Sequence, residues 1–248
     1  MTRHILGVRD MTGLTILAQM YGAPLNLVAS MHGISIRSAY RMAQRWRDTG
    51  MISPLTVRPV PGPAWVFPTR TAAESLLGID VQHWTPTPGR AAHVAAVFAL
   101  RTALTGTDLD RWTSERVLHS EVGAIAPGQR RPYIPHGRYT TSSGELWAVQ
   151  VELIRKAPAV TKTAMFRAYQ AAQAAGCDGL VFYCRGEAVK TALRTAAAGL
   201  DLTGGPRVRM ADLDQMLARP VSPAEQRPDL SVIPGGAATT QHGKAASQ

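Results

Sequence analysis

Five side chains between positions 115 and 156 are of types that could cut a phosphodiester. Glu115 stands four residues before His119 in "DRWTSERVLHSE", His136 follows a proline in "YIPHG", and Gln150, Glu152 and Lys156 recur at even spacing in "WAVQVELIRK". Side chains alternate along a strand, so Gln150, Glu152, Ile154 and Lys156 are expected on one face. Val149, Val151 and Leu153 then point the other way, into a core. Such a face, beside a second strand that begins at Pro135-His136-Gly137, could hold a divalent cation. Mg²⁺ or Mn²⁺ binds through oxygen, usually from two or more carboxylates, and a lysine can orient or stabilise the attacking water. Glu152 and Glu115 can supply oxygen, whereas His136 brings nitrogen and Gln150 is neutral. The pair therefore reads as the frame of a cutting site depleted of ligands. No cofactor is expected, with Mg²⁺ or Mn²⁺ entering only if the site is active. The alternative is an exposed polar sheet face with Glu152 and Lys156 in ordinary solvated roles.

A second polar group lies on a helix. At 100° per residue, "SIRSAYRMAQRWRDTG" puts Ala39, Met42, Ala43 and Trp46 on one face. Arg37, Arg41, Gln44 and Asp48 fall opposite, flanked by Ser38, Tyr40 and Arg45. Arginine can grip guanine O6 and N7, glutamine adenine N6 and N7, and serine or tyrosine can hold phosphate. A solvated arginine-rich face is the competing reading of the helix alone.

The elements around it weigh toward nucleic acid. Two helices are expected before it, about Asp10–Tyr21 with Asp10 as cap, then "LNLVASMHG" ending at Gly33. After it, "PLTVRPVPGPAWVFP" reads as two short strands around a Pro-Gly tip, with Trp65 and Phe67 on one face and Arg58 near the tip. Thr71 and Glu74 have the spacing of a capping box for a fourth helix. That order is the order of a winged helix, whose third helix enters the major groove while the hairpin meets flanking backbone. Residues 1–80 hold eight arginines against four acids.

The whole chain has 248 residues, 45% of them hydrophobic, with a net charge of +10 and a pI near 10.3. That balance favours a polyanionic partner, since arginines bound to phosphates release counterions. Two cysteines, Cys177 and Cys184, make neither a disulfide framework nor a zinc cluster. No apolar run approaches the ~20 residues of a membrane span, and the first residues lack the apolar core of a secretory signal. A soluble, cytoplasmic protein without a membrane partner is expected.

"VQHWTPTPGR" suggests a linker. Beyond it come helices over 91–105 and in "DRWTSERVLHSE", the two strands, an alanine-rich helix over 158–175, the buried strand "GLVFYC", a helix over 187–198, "RVRM" and a short last helix. Strand-helix-strand order implies a mixed sheet with partly parallel pairing. The expected organisation is α/β (α+β overall): a winged helix over 1–80, a linker over 81–92, a mixed-sheet domain over 93–220 and a disordered tail over 221–248.

"GISIRSAYRMAQRWRDTGMI" and "FPTRTAAESLLG", then "RWTSERVLHSE", "YIPHG" and "WAVQVELIRK", in that order, resemble the replication-relaxation family of actinobacterial plasmids and integrative elements. The resemblance covers about residues 10–200. It implies DNA binding, a role in replication or transfer of mobile DNA, and a second domain similar to PD-(D/E)XK nucleases of the restriction-endonuclease type. Under it, Glu115 matches the helix acid, His136 the aspartate after proline and Gln150 the first strand acid. Glu152 takes the place of the lysine, and Lys156 lies on that face beyond Ile154, four residues further along. Two of the expected carboxylates are missing, so a degenerate domain is implied.

The function expected is that of a double-stranded-DNA-binding accessory or regulatory protein of mobile elements, leaning away from an enzyme. Replication or conjugation proteins and a second copy of the chain are candidate partners. The alternatives are a metal-dependent nuclease using Glu115, Glu152 and Lys156, and a transcriptional regulator whose second domain senses a ligand or dimerises.

Overall fold

The computed structural model describes residues 5–126 and 128–218; the tail expected over 221–248 lies outside the described residues. α1 (Val8–Gln19) starts two residues earlier than expected. Asp10 is therefore not the residue that precedes the helix. It sits in the first turn, where its carboxylate accepts from Gly7 N at 3.3 Å. Leu14, Ile16, Leu17 and Ala18 bury the inner face. Gly22 follows with φ +146°, and a Cβ there would lie 2.6 Å from Val66 O. This close approach lets β1 (Ala23–Pro24), a strand not expected from sequence, pair antiparallel with β2 (Trp65–Val66).

α2 (Leu25–His32) ends at Gly33 with φ +58°, as expected for a left-handed cap. α3 (Ile36–Asp48) is capped by Ser35, whose side chain accepts from Ser38 N at 3.2 Å. Of the two hairpin strands expected next, only β2 is continuous. Its partner is held by isolated bridges, Val57 to Trp65 and Ile52 to Pro68. Ala64, Trp65, Val66 and Phe67 are all buried, so both faces of β2 are covered. α4 (Arg70–Leu77) is capped by Thr69 and not Thr71: Thr69 Oγ1 accepts from Ala72 N at 3.3 Å. Glu74 instead pairs with Arg70 Nε at 2.7 Å, one turn away. Three helices, the β1–β2 pair and the bridged hairpin follow one another in the order expected of a winged helix.

Residues 81–87 pack closely against this unit. Val81 is buried beside Ala18 and Ala73. The Trp84 ring lies within 5.7–6.2 Å of Tyr21, Trp65 and Phe67. α5 (Pro88–Thr105) begins inside the segment read as a linker. It contacts β1 and α2 on one side and β5 on the other.

The expected helix around Glu115 is shorter than its motif. Trp112–Ser114 forms strand β3, and Ser114 caps α6 (Glu115–Val122). Pairing with β4 (Gly137–Thr140) overrides the local pattern. The Trp112 ring fills the space that any Cβ at Gly137 would need. β5 (Leu146–Glu152), α7 (Pro158–Ala174), β6 (Gly179–Cys184), α8 (Glu187–Ala198), β7 (Arg207–Asp212) and α9 (Leu213–Leu217) complete the described chain.

The sheet order is β3-β4-β5-β6-β7, antiparallel through β5 and parallel from β5 to β7. The expected mixed α/β architecture is present. Trp147, Val149 and Val151 share a core with α5 and the winged helix, continuous through Phe98 to Leu14 and Trp46. Ala148, Leu180, Phe182 and Cys184 face the other way, with Met165 of α7 and Leu193 of α8. Arg116 joins the halves, donating from Nη1 to Ala18 O at 2.9 Å with its guanidinium 4.3 Å from the Tyr21 ring centroid. Among the described residues, no helix is long and apolar enough to cross a membrane.

Candidate nucleic-acid interface and the polar strand pair

α3 divides along its length as its periodicity predicts. Ala39, Met42, Ala43 and Trp46 are buried, Trp46 completely. Trp46 Nε1 donates to Asp10 Oδ1 at 2.8 Å, and Arg45 Nη2 reaches the same oxygen at 3.0 Å. Beneath, the His32 ring lies edge-on to Trp46 with centroids 6.4 Å apart. Gly13 makes this possible, since a Cβ there would lie 2.5 Å from His32 Nε2.

On the outward side Arg37, Tyr40, Arg41 and Gln44 are exposed. Arg41 Nη2 donates to Ser38 Oγ at 3.1 Å, and Gln44 Nε2 to Asp48 Oδ1 at 2.8 Å. The Tyr40 hydroxyl accepts from Ala64 N at 3.4 Å, which braces the helix against the hairpin. Arg58 is exposed at the start of the hairpin tip. Of the seven side chains expected at DNA, Arg37, Arg41 and Gln44 share one free surface. Ser38 is half-buried in the capping network, and Arg45 turns back to Asp10.

The strand pair behaves differently. Gln150 is fully buried and Glu152 nearly so, because α7 and α8 cover their face of the sheet. The exposed polar face considered from sequence is thus absent here. Nor does the alternation run on to Lys156: β5 stops at Glu152, and Ile154 is 70% exposed. Lys156 returns to place Nζ 2.7 Å from Glu152 Oε2. Gln150 Oε1 accepts from the Tyr133 hydroxyl at 3.3 Å, while its amide nitrogen is buried with no hydrogen-bond partner among the described residues. Burial, followed by the negative charge of Glu152, pushes the Tyr133 hydroxyl up to about 12.

His136 is fixed by the backbone of the neighbouring strand. Val151 N donates to His136 Nδ1 at 2.9 Å. A backbone N–H can only donate, so the neutral ring must carry its proton on Nε2. Binding a metal through Nε2 would require that proton to leave. Burial, then His93 and Lys156, push the His136 pKa down to about 3. His93 packs perpendicular to it, with centroids 4.4 Å apart.

Glu115 Oε1 lies 3.5 Å from His119 Nε2, and His119 Nδ1 lies 3.1 Å from Arg131 Nη1. Burial raises the Glu115 carboxyl, against the opposing pull of His119 and Arg90. Glu115 and His136 line an open cavity of about 660 Å³ between the winged helix, α5 and α6. Glu152 and Lys156 instead line a narrow cleft between α7 and α8. Among the described residues, no three His, Cys, Asp or Glu side chains gather closely enough to hold a metal ion.

No family model matches the chain, and no curated protein matches it either.

Geometry alone therefore distinguishes the two polar groups. α3 presents Arg37, Arg41 and Gln44 to solvent. The strand pair offers a buried amide, a donor-locked histidine and a carboxylate already bound to lysine. Sequence reasoning missed His93, Tyr133, Arg131 and the Asp10–Trp46 bond. Each is joined to its partner across 12 or more residues, beyond the reach of helical or strand periodicity. Asp10 alone carried a signal, and that signal pointed to capping.

Proposed function

We propose that the protein binds double-stranded DNA through α3 and the adjoining hairpin, as an accessory or regulatory factor in mobile-element replication or transfer. The sheet half acts as a non-cutting partner to the winged helix. The observation that carries this reading is the division of α3. Four buried residues anchor it to the core, while Arg37, Arg41 and Gln44 project together into solvent. A helix held from below in this way can enter a major groove as a rigid body, with arginines meeting phosphate or guanine and glutamine meeting adenine. Arg58 on the hairpin adds a cation for flanking backbone.

Anisotropy titration of a labelled duplex across a salt series tests the proposal. The wild type should bind at low salt. Arg37→Ala with Arg41→Ala should weaken binding at least tenfold and reduce the salt slope by about 2, roughly one counterion for each lost phosphate contact. An unchanged affinity and slope would overturn the assignment of α3. Supercoiled plasmid incubated with the protein and Mg²⁺ or Mn²⁺ should remain intact. Nicking that disappears in Glu152→Ala would overturn the non-cutting role of the sheet half.

A further inference from the structure

The cavity between the two halves is lined by several hydrogen-bond donors. Arg90 and Arg131 are exposed at its rim, and the Arg116 guanidinium lies on its wall against Tyr21. His136 contributes a neutral ring whose Nδ1 is already occupied by Val151 N, leaving Nε2–H as its donor. Trp84, half-buried, adds an aromatic surface. Glu115, tied to His119, and Asp80 are the acids that line it. Three guanidinium groups against two carboxylates leave the wall cationic. Its volume of about 660 Å³ falls within the range of small-ligand sites.

We propose that this cavity binds the phosphate of a nucleotide-sized ligand, with Arg90 and Arg131 on the phosphate, His136 as a neutral donor and Trp84 beside the planar base. Arginine matches phosphate because its planar donors can bind two oxygens at once. A neutral imidazole donor adds a hydrogen bond without the cost of burying another charge. Arg116 touches both the cavity and the carbonyl of Ala18 at the end of α1, so an occupant would press on the winged helix directly. The phosphate could belong to a free nucleotide or to the 5′ end of a DNA strand. This site does not depend on the role given to α3.

Calorimetric titration of the full chain with deoxyadenosine 5′-monophosphate tests it, with deoxyadenosine, a 5′-phosphorylated oligonucleotide and its 5′-hydroxyl twin in parallel. The monophosphate should bind and deoxyadenosine should bind at least tenfold more weakly. Arg90→Ala with Arg131→Ala, both at exposed positions, should lose at least tenfold in affinity without a change in melting temperature. Glu115→Gln should bind a few-fold more tightly, because it removes the opposing charge. Equal affinity for monophosphate and oligonucleotide supports a free nucleotide. A tighter oligonucleotide that weakens without its 5′-phosphate supports a strand end. No binding at millimolar monophosphate, or unchanged binding in the double variant, overturns the site. The variant Arg37→Ala with Arg41→Ala should bind the monophosphate normally, which separates failure of this site from failure of the duplex interface.

Discussion

α3 and β5 both carry polar side chains and use them in opposite ways. On α3 Arg37, Arg41 and Gln44 stand outside a buried face, so each can change without disturbing the core beneath. On β5 Gln150 and Glu152 lie under α7 and α8, cut off from water: Glu152 pairs with Lys156, while the Gln150 amide nitrogen has no partner among the described residues. A helix on a surface separates function from stability by geometry. A central strand covered on both sides cannot. The neutral amide at position 150 follows the same logic: a second acid there would be an unpaired buried charge.

Placing an acid at position 150 gives the largest expected effect. Gln150→Glu puts a carboxylate into a fully buried position beside Glu152 and should destabilise the fold by on the order of 3–5 kcal/mol. Urea denaturation at neutral pH measures the loss. A loss below about 1 kcal/mol would mean that β5 tolerates a pair of acids, and the contrast with α3 would collapse. Added Mn²⁺ should not rescue the variant, since His136 is locked as a donor.

Asp10→Ala attacks the other side of the comparison, the support beneath α3. It strands Trp46 Nε1 in the core and releases Arg45. A cost of about 2–3 kcal/mol is expected. DNA affinity of the fraction that remains folded should change little, because Asp10 positions α3 without facing outward. A loss of duplex binding with no loss of stability would show that Asp10 acts on DNA through Arg45.

The halves also differ in how much of them was legible beforehand. The burial of Ala39, Met42, Ala43 and Trp46 and the Gly33 stop are local and periodic, and all are where the spacing puts them. The order of the sheet elements could likewise be read from alternation and turn residues. β1 and β3, two and three residues long, could not, because their strand character comes from partners far along the chain. The covering of Gln150 and Glu152 was equally hidden. Alternation tells which side chains share a face, but not whether helices pack on it. The roles of His136 and Lys156 depended on a single cross-strand N–H and on where β5 ends.

Acid should expose a further difference. Burial and the Arg9 guanidinium, opposed by Asp10, hold His32 near a pKa of about 4 in the folded protein. In the unfolded chain it titrates near 6.5. The folded value is the lower one, so the unfolded state takes up the proton first, and stability falls as pH drops from about 6.5 toward 4. The loss between pH 7 and pH 5 should be about 2 kcal/mol. His136, held lower still, adds a loss of the same sign. Denaturation of wild type and His32→Gln at the two pH values isolates the first contribution. The difference between their slopes should vanish if His32 is not the group that titrates.

The smallest effect on folding, and the sharpest on function, is expected at Gln44. Its hydrogen bond to Asp48 is exposed and one helical turn long, a class of contact worth a few tenths of a kcal/mol. Gln44→Ala should therefore leave stability within about 0.5 kcal/mol of wild type. It should also leave the salt slope unchanged, because an amide displaces no counterion. What it should alter is preference among duplexes. A bidentate contact to adenine carries about 1–3 kcal/mol of discrimination, so a selected set of binding sites should relax at one base pair. Selection from a random duplex pool with each protein reads this directly. Identical selected sites from both would place Gln44 away from the bases and turn α3 into a phosphate-binding helix, with sequence choice lying elsewhere on the winged helix.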